Sequence, residues 1–539
     1  MTKLILLTIV FVIVALNAAL FAVLTTRKPF VSMFVSQFER KFDASFISKF
    51  PNDQSVQNDI ERRVVPNQVI YYWCAKSWER FEFRHYLSMY SVIRLLHPDV
   101  IYFLYDEYPK ADKFEYNVWL DDLRQAYPFI YLEGTNGRRG CNGTSEDKLA
   151  AIVDELSKRG GFYVNEVTVL SSSLAPLLED KQQMIEINCT TGHGFLMTQK
   201  GLAIPSVCKQ SVSCPNSVQS SNYSSFYCVN VIERLYPKYI WELDSEFGRL
   251  ARWAAYGERE LMRPEANYQE LAPNIAHYVW IGNGTMDYLW YLSVLSVLNV
   301  VKVDKVFIHG EAPHGKYWDR IAENEKVEVI YRYPVTYVFD QLIVGNSHQS
   351  DVWRVDIMTK YGGLYLDVDV IFVKPLSDDL RAYDAVMSID FIGSYWIEDY
   401  PNVLQSGVML GKRGSQFWVE FQKTMRKYKD DLWTWNACHM PYRVKEKYPR
   451  SLLIDKRLQV NCFCGKCHPT WWPGYKKRKV HHLNSNSLPN WRNDAYSYHF
   501  TGSVPIDLQE EGSMAGNSTS IFGEMARYIM DKSGLIYQD

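Results

Sequence analysis

Two aspartates stand two residues apart in a hydrophobic segment, KYGGLYLDVDVIFV, which spans residues 360–373. The pattern predicts a β-strand, in which alternate side chains point the same way, so Asp367 and Asp369 are expected on one face. Two buried carboxylates cost roughly several kcal/mol unless a cation neutralises them. Carboxylate oxygens suit Mg²⁺ or Mn²⁺, which also bridge phosphates. The pair therefore predicts a divalent-metal site, and the alternative is an acidic pair that meets solvent at a sheet edge.

An acidic and a basic residue precede this strand in a segment whose pattern predicts a helix. The residues HQSDVWRVDIMTKYGG, 348–363, predict a helix with Ser350 as its N-cap and an end at Gly362. Asp351 and Arg354 lie three residues apart and share a face of that helix. The pair is either part of a charged site with the two aspartates or an ordinary ion pair on the helix surface.

The chain shows this pattern of strands and helices twice. VPNQVIYYWC (65–74) resembles APNIAHYVWI (272–281), 207 positions later, and GGFYVNEVTVL (160–170) precedes GGLYLDVDVIF (362–372) by 202 positions. Landmarks at a nearly constant offset predict a tandem duplication. Strands that alternate with helices predict an α/β sheet covered by helices, with ligands at the carboxyl ends of the strands.

The first copy lacks the charged residues of the second. The positions that correspond to the two aspartates and to the acid–base pair hold Asn165, Val167, Leu149 and Ile152. The residues that serve the fold are retained: Gly160, Gly161 and Tyr163. We therefore expect the first copy not to be catalytic; whether it supports the second copy, binds an acceptor or mediates pairing stays open.

The amino-terminal segment favours a membrane anchor. Residues 4–24 contain no charged side chain, and a helix of this length spans about 31 Å, enough to cross a bilayer. A cleaved signal peptide is the alternative, although its apolar part is usually shorter. The net charge of −2 gives no reason to expect nucleic acid as a partner.

Glycosylation sequons and cysteines favour an oxidising lumen. All ten cysteines follow the apolar segment, as do the N-x-S/T sequons at Asn142, Asn188, Asn222, Asn283 and Asn517. The run CFCGKCH (462–468) resembles a zinc motif, but disulfides are favoured in a lumen, and their connectivity is open. Cys74 and Cys141 are either disulfide partners or free thiols.

These motifs together resemble a known family. SDVWRVDIMTKYGGLYLDVDV (350–370) is similar to the S-D-x-x-R…G-G-x-Y-x-D-x-D signature of the DXD glycosyltransferases of family 32. PNIAHYVWIG (273–282) resembles the opening strand of that family, and HFTGS (499–503) its closing H-x-x-G-S. The resemblance covers 272 to about 505, with a weaker match over 65 to about 200. It implies a GT-A-like fold and retaining transfer of a sugar from a nucleotide-sugar with Mn²⁺ or Mg²⁺.

The resemblance also implies roles for the matching residues. Asp369 binds the metal directly, and Asp367 holds the donor ribose and sugar or binds the metal through water. Trp280 stacks on the nucleotide base, and the backbone of Ile281 reads the edge of that base. A glycan on Asn283 would interfere there, so we expect this sequon to be unused.

The remaining roles concern the donor sugar and the diphosphate. Asp351 and Arg354 grip the donor sugar, and Tyr365 contacts the donor nearby. His499 and Ser503, on a C-terminal loop, close over the diphosphate and metal. A further residue near the reacting sugar, Gln405, stands where the family usually has Asn.

The sequence and this resemblance together predict two tandem GT-A-like α/β domains after a transmembrane helix, in a type II membrane protein. The resemblance implies a Golgi location. The expected segments are a cytoplasmic tail (1–3), the anchor (4–24), a stem (25–63), a degenerate domain (64–265), a catalytic domain (266–510) and a C-terminal tail (511–539). Its partners are a nucleotide-sugar and a glycan, glycolipid or glycoprotein acceptor, with homo- or hetero-oligomers left open. The rival predictions are a lectin-like Ca²⁺ protein and a scaffold for another transferase.

Overall fold

The computed structural model of the protein describes residues 65–74, 80–109, 119–135, 141, 145–171, 184–189, 192–198, 228–389, 403–463, 491–501 and 521–535. All of these residues belong to one compact unit. The predicted anchor and stem lie outside the described residues, as does Ser503. No helix within the described ranges is long and apolar enough to cross a membrane.

The first half of the chain forms a six-stranded mixed sheet in the order β3-β2-β1-β4-β7-β6. Strands β1 to β4 are mutually parallel, whereas β7 runs antiparallel to both β4 and β6. The elements are β1 (Gln68–Trp73), α1 (Phe83–Leu96), β2 (Val100–Tyr105), α2 (Trp119–Ala126), β3 (Ile130–Gly134), α3 (Ser145–Arg159), β4 (Gly161–Val164), β5 (Thr168–Leu170), β6 (Met184–Cys189), β7 (Gly192–Thr198), β8 (Cys228–Asn230), α4 (Pro237–Trp241) and α5 (Glu246–Tyr256).

The second half forms a seven-stranded sheet in the order β11-β10-β9-β14-β17-β16-β18. Its elements begin with β9 (Ile275–Trp280), α6 (Tyr288–Ser296) with a π-helical end (Val297–Val301), β10 (Lys305–Gly310), α7 (Lys316–Asp319), β11 (Val327–Ile330), β12 (Tyr337–Val338), β13 (Gln341–Leu342), α8 (Asn346–Lys360), β14 (Gly363–Leu366), β15 (Val370–Phe372) and α9 (Asp378–Arg381). They continue with β16 (Ala385–Ile389), β17 (Leu404–Gly411), α10 (Gln416–Thr424), a 3₁₀ turn (Met425–Lys427), a π turn (Trp435–His439), α11 (Met440–Lys447), β18 (Leu453–Ile454), β19 (Val460–Phe463), α12 (Trp491–Asp494), β20 (Ser497–Thr501) and α13 (Ile521–Lys532).

The two sheets share their strand order and strand directions over six positions. Strands β9, β10, β11 and β14 are parallel, and β17 runs antiparallel to β14 and β16. The central register also corresponds, because His277 pairs with Tyr365 as Ile70 pairs with Tyr163. These pairs keep the offsets of 207 and 202 seen in the sequence.

A pair of glycines starts the central strand in each half. Gly160 and Gly161 have φ values of 72° and 92°, and Gly362 and Gly363 have φ values of 65° and 87°. Residues with a side chain rarely adopt this left-handed backbone. A Cβ atom on Gly363 would lie 2.7 Å from the carbonyl oxygen of Ile275 in β9. Glycine is therefore required for β14 to pair closely with β9.

Hydrophobic helices cover both faces of the second sheet, as an α/β fold requires. One face packs with α6, its π-helical end and α13, through fully buried residues such as Trp290 and Phe522. The other face packs with α8, α10 and α11, through Trp353, Trp418 and Tyr442. The predicted mixed α/β class is confirmed, and the predicted domain boundaries stay predictions.

Helix α8 begins earlier than the sequence predicts. The predicted N-cap, Ser350, lies inside the helix, and the observed N-cap is Gly345. The prediction was wrong because Ser350 uses its hydroxyl within the fold, where it accepts a hydrogen bond from Arg354. The predicted end is close to the observed one, since the helix ends at Lys360 and Gly362 has positive φ.

The cysteine pair that the sequence left open is a disulfide. Cys74 at the end of β1 bonds to Cys141, and Cys228 is disulfide-bonded as well. Residues 464–468 of the CFCGKCH run lie outside the described residues.

A chain of hydrogen bonds crosses β10, β9 and the start of β14. Arg332 donates to Nδ1 of His309 (3.1 Å), Nε2–H of His309 donates to Nδ1 of His277 (3.0 Å), and Nε2–H of His277 donates to the carbonyl oxygen of Gly362 (3.0 Å). Both imidazoles must be neutral in this chain of hydrogen bonds, because each ring accepts one hydrogen bond through one nitrogen and donates one through the other. Burial lowers the pKa of His277 to about 3 and that of His309 to about 2.

We predict that the free energy of unfolding falls as the pH drops below about 6.5. The unfolded histidines take up protons from that pH downwards, while the folded ones stay neutral until about pH 3. Each histidine therefore contributes up to about 1.4 kcal/mol per pH unit to this loss. Urea unfolding of His277→Gln and His309→Gln between pH 7.5 and 5.5 should give a shallower pH dependence than the wild type. The exposed His314→Gln is the control, and an unchanged slope in both test variants would contradict the prediction.

Candidate active site

A cavity of about 710 Å³ lies at the carboxyl ends of β9 and β14. Eight of the ten residues that the sequence predicts for the site line it: Trp280, Ile281, Asp351, Arg354, Asp367, Asp369, Gln405 and His499. Tyr365 lies behind the cavity wall, and Ser503 is outside the described residues. The predicted position of the site, at the ends of the strands, therefore agrees with the fold.

The two aspartates lie in a turn rather than within one strand. Strand β14 ends at Leu366, and β15 begins at Val370 and pairs with β20 instead of with the main sheet. The chain must turn between these two sheets, so the predicted continuous strand was wrong. The backbone N–H of Asp367 donates to the carbonyl oxygen of Gly407 (2.8 Å), and that of Val370 to Asp367 (3.2 Å). This turn, not strand alternation, brings the side chains of Asp367 and Asp369 together.

His499 completes a group of three potential metal ligands. Its Nε2 atom lies 3.0 Å from Oδ1 of Asp369 and 3.8 Å from Oδ2 of Asp367, and the three ligand atoms are all within 4.8 Å of one another. The prediction placed His499 on a loop, but it lies on β20, where it pairs with Val370 and Asn461. Strand pairing on both sides holds the imidazole more firmly than a loop would.

Two residues that the sequence analysis missed shape this group. Gly407 makes room for it, because a Cβ atom there would lie 2.6 Å from Nδ1 of His499 and 3.2 Å from Oδ2 of Asp367. The buried side-chain amide of Gln459 contacts Nδ1 of His499 at 3.0 Å, which orients the ring with Nε2 towards the aspartates. Gln459 lies 40 positions before His499, and no pattern in the sequence connects the two.

The residues present fit a divalent cation. Two carboxylates and one imidazole are ligands that Mn²⁺ accepts, and carboxylates also suit Mg²⁺. The space that Gly407 leaves beside His499 and Asp367 keeps the ligand atoms free of steric contact. Three protein ligands leave the other positions of an octahedral ion for water or phosphate oxygens.

Arg354 connects this group to helix α8. Its guanidinium donates to Ser350 Oγ (2.9 Å) and to the carbonyl oxygen of Ser406 (3.1 Å), and lies 3.4 Å from carboxylate oxygens of both Asp351 and Asp367. Burial opposes its charge, but Asp367, Tyr365 and Asp351 raise the pKa of Arg354 above its usual value. The guanidinium therefore stays charged inside the protein.

Asp351 is the most buried acid of the cavity, with 4% of its surface exposed. Burial raises its pKa to about 6, although Arg354 and His348 act in the opposite direction. A carboxyl group with this pKa is mostly ionised at neutral pH, and as a carboxylate it can accept a hydrogen bond from a bound hydroxyl.

Tyr365 supports the site from behind and does not face the cavity. Its hydroxyl donates to Oδ1 of Asp367 (2.7 Å), and the guanidinium of Arg354 lies 5.1 Å from its ring centre. Only 1% of its surface is exposed. Strand β14 turns this side chain into the core next to α8, and the predicted contact of Tyr365 with the donor stays a prediction.

Trp280 is shared between the core and the cavity. Its indole packs on Trp290 at 4.4 Å between ring centroids, and a Cβ atom on Gly284 would lie 2.4 Å from it. Asn346 at the start of α8 donates to the carbonyl oxygen of Ile281 (3.4 Å), which joins this loop to the helix. Asn283 is exposed in the same loop, and the prediction that its sequon is unused stays a prediction.

Gln405 lies on β17 beside a bulge in the pairing with β16. Its side-chain oxygen accepts a hydrogen bond from the backbone N–H of Gly407 (3.2 Å), which holds the amide at the cavity wall. The sequence analysis missed a further part of the wall, formed by His348, Trp433 and Thr434. His348 could have been noticed from its position two residues before the S-D-x-x-R motif, whereas Trp433 carries no such signal.

We predict that Arg354→Ala lowers the free energy of unfolding by about 3–5 kcal/mol, because it leaves Asp351 and Asp367 without their buried partner. Arg263→Ala is the control, since this exposed arginine makes only a surface ion pair with Glu242, and should cost less than about 1 kcal/mol. Urea unfolding at pH 7.5 measures both. A loss as small as that of the control would show that Arg354 is not needed to balance the buried acids.

Comparison with known proteins gives one family match in this part of the chain. Residues 307–387 match the family described as "Glycosyltransferase sugar-binding region containing DXD motif". Glucan organizing enzyme 1 of Cryptococcus neoformans var. grubii is 24% identical over 245 residues, which are 42% of this chain. The match spans 62% of the length of that relative.

Several solved glycosyltransferases show a weak likeness in structure. The PaToxG glycosyltransferase matches with a TM-score of 0.26 and 13% identity, over 33% of this chain and 69% of that one. GlyE of Streptococcus pneumoniae TIGR4 matches with a TM-score of 0.21 and 11% identity, over 56% and 85%. We draw no conclusion about fold or function from TM-scores this low. The family match includes the turn with both aspartates, so residues 307–387 are similar to the sugar-binding region of the DXD glycosyltransferases.

Proposed function

We propose that the protein is a metal-dependent glycosyltransferase that moves a sugar from a nucleotide-sugar to a glycan, glycolipid or glycoprotein acceptor. The observation that carries this proposal is the convergence of Asp367, Asp369 and His499 in one cavity with Arg354 and Trp280. Mn²⁺ is the proposed ion, because the group includes an imidazole, with Mg²⁺ as the alternative. Retention at the anomeric carbon is proposed from the family resemblance.

The proposed roles follow from the positions of the side chains. Asp367, Asp369 and His499 would hold the ion, which neutralises the charge that develops on the leaving diphosphate. Arg354 presents a fixed positive charge beside Asp367, and such preorganised charge stabilises a transition state without reorganisation. Tyr365 and Ser350 keep the carboxylate and the guanidinium in place.

The other side chains would bind the donor. Trp280 offers an aromatic surface to the nucleotide base, and the Ile281 backbone lies beside it. Asp351, with its raised pKa, would hydrogen-bond to hydroxyls of the donor sugar. Gln405 would contact the same sugar from β17. No covalent nucleophile is assigned.

The first half is proposed to be a degenerate copy, over residues 64–265, of the catalytic domain at 266–510. The common strand order supports the duplication. On α3, Leu149 and Ile152 pack in a hydrophobic cluster with Tyr163 and Cys141. Apolar side chains thus occupy the positions at which α8 carries Asp351 and Arg354, and such a cluster offers no ligand to a metal or phosphate.

A luminal Golgi location with a type II anchor at residues 4–24 is part of the proposal. The N-x-S/T sequons and the Cys74–Cys141 disulfide support an oxidising compartment. Pairing with the same chain or with another transferase stays a proposal without a residue assigned to it.

A lectin-like Ca²⁺ protein is the second candidate, favoured only by the acidic pair. Ca²⁺ takes six to eight oxygen ligands in proteins. The nitrogen of His499 and the cation of Arg354 beside the acids suit a diphosphate–metal complex better.

Nucleotide binding tests the proposal. The purified full chain should bind one UDP or GDP in the presence of Mn²⁺ by titration calorimetry, and should hydrolyse or transfer the sugar of a matching nucleotide-sugar. Asp369→Asn should weaken this metal-dependent binding by about a hundredfold, whereas the exposed Asp319→Asn should bind like the wild type.

Three results would count against the proposal. Equal binding by Asp369→Asn would place the metal site elsewhere. More than one nucleotide per chain would contradict an inactive first half. Saccharide binding without nucleotide binding, hydrolysis or transfer would favour the lectin.

A further inference from the structure

The part of the cavity wall formed by His348 and Trp433 has no role in the proposed donor site. His348 lies in the first turns of α8, and Trp433 lies in the segment between the 3₁₀ turn and the π turn. Their rings are 5.6 Å apart between centroids, and both residues line the cavity. This wall therefore contacts the same space as the metal-ligand group but comes from different elements.

Trp433 is unusual because it is exposed although it lines a cavity. Its exposed fraction is 71%, compared with 0–3% for Trp290, Trp353, Trp418 and Trp435. A large exposed aromatic side chain beside a pocket with polar groups marks a ligand-binding surface. An indole is flat and rigid and suits stacking on the apolar face of a sugar ring.

His348 has one ring nitrogen engaged and one without a partner. Nδ1 contacts Oδ1 of Asp430 at 2.9 Å, and Asp430 also accepts hydrogen bonds from Tyr428 and from the backbone N–H of Val344. Burial opposes ionisation of Asp430, but these hydrogen bonds lower its pKa overall, so it stays an acceptor. Nδ1 of His348 therefore donates to Asp430, and Nε2 is left for another partner.

The free nitrogen is buried in the wall. His348 is 6% exposed, and Nε2 has no hydrogen-bond partner among the described residues. A buried polar atom without a partner is costly, so such an atom beside a cavity suits a hydrogen-bonding group of a ligand. A sugar hydroxyl can both donate and accept a hydrogen bond, so it can pair with Nε2 in either protonation state of the ring.

We propose that Trp433 and His348 form the subsite for the acceptor saccharide, with the indole stacked on a sugar ring and Nε2 hydrogen-bonded to one of its hydroxyls. This inference rests on the proposed function, because it assigns the donor to the other wall. Asp430 is a positioning residue for His348. The nucleotide, the metal and the donor sugar contact neither ring.

Saccharide binding to the full chain, saturated with UDP or GDP and Mn²⁺, tests the subsite. The probes are maltotetraose, laminaritetraose, cellotetraose, mannotetraose, chitotetraose and lactose, each titrated at millimolar concentration and followed by saturation-transfer NMR and calorimetry. At least one should bind the wild type. Trp433→Ala should weaken that binding by about tenfold or more. Tyr333→Ala is the matched control, since this tyrosine is 80% exposed and does not line the cavity.

Two variants of His348 separate a ligand contact from a structural role. The shorter amide of His348→Asn can still reach Asp430 but has no atom at the position of Nε2, so saccharide binding should fall about tenfold. The longer amide of His348→Gln places an acceptor near that position and should retain binding within about threefold. Both variants should bind the nucleotide and Mn²⁺ like the wild type.

Each other outcome overturns a defined part of the proposal. If the wild type binds nucleotide and Mn²⁺ but none of the saccharides, or if Trp433→Ala and His348→Asn bind them normally, the subsite is wrong and the proposed function stands. Loss of nucleotide binding in these two variants would move both residues to the donor site. If the wild type binds no nucleotide with Mn²⁺, the proposed function itself fails.

Discussion

A single buried guanidinium connects the parts of the candidate site. Arg354 contacts Asp351 on its own helix, Asp367 in the turn after β14 and Ser406 on β17. Burial penalises the charge of Asp351, and the guanidinium beside it opposes that penalty. The same contacts connect α8 to two strands of the sheet, so the electrostatic balance of the site and the packing of the fold depend on each other.

The scaffold under the site does not depend on charge. Neutral histidines connect β10, β9 and β14, and the glycine pair at 362–363 lets β14 pair closely with β9. The first half keeps the corresponding glycines and strand order, with apolar residues at the positions of Asp351 and Arg354. Different residues therefore specify the fold and the site. Apolar periodicity and glycine conformations specify the sheet, and a few charged side chains at its edge form the candidate site.

Most of the site could be predicted from short motifs, and the errors have a common cause. The family resemblance joined Asp351, Arg354, Asp367 and Asp369 into one group, and helix periodicity placed the first two on a common face. The sequence misplaced Ser350 and His499, and strand alternation was the wrong reason for the closeness of the two aspartates, because these environments depend on contacts with segments distant in the chain. Gln459, Gly407 and Trp433 were missed for the same reason.

The sequence by itself determined the α/β class, the glycine pair before the central strand of each half and the presence of an acidic pair at the end of a strand. These features are local, since each follows from side-chain period and backbone freedom within about fifteen residues. Only the tertiary structure decided that the two aspartates meet His499 through a turn between two sheets. It alone also decided that His348 keeps a nitrogen without a partner beside the cavity, because both outcomes depend on which distant strands and helices pack together.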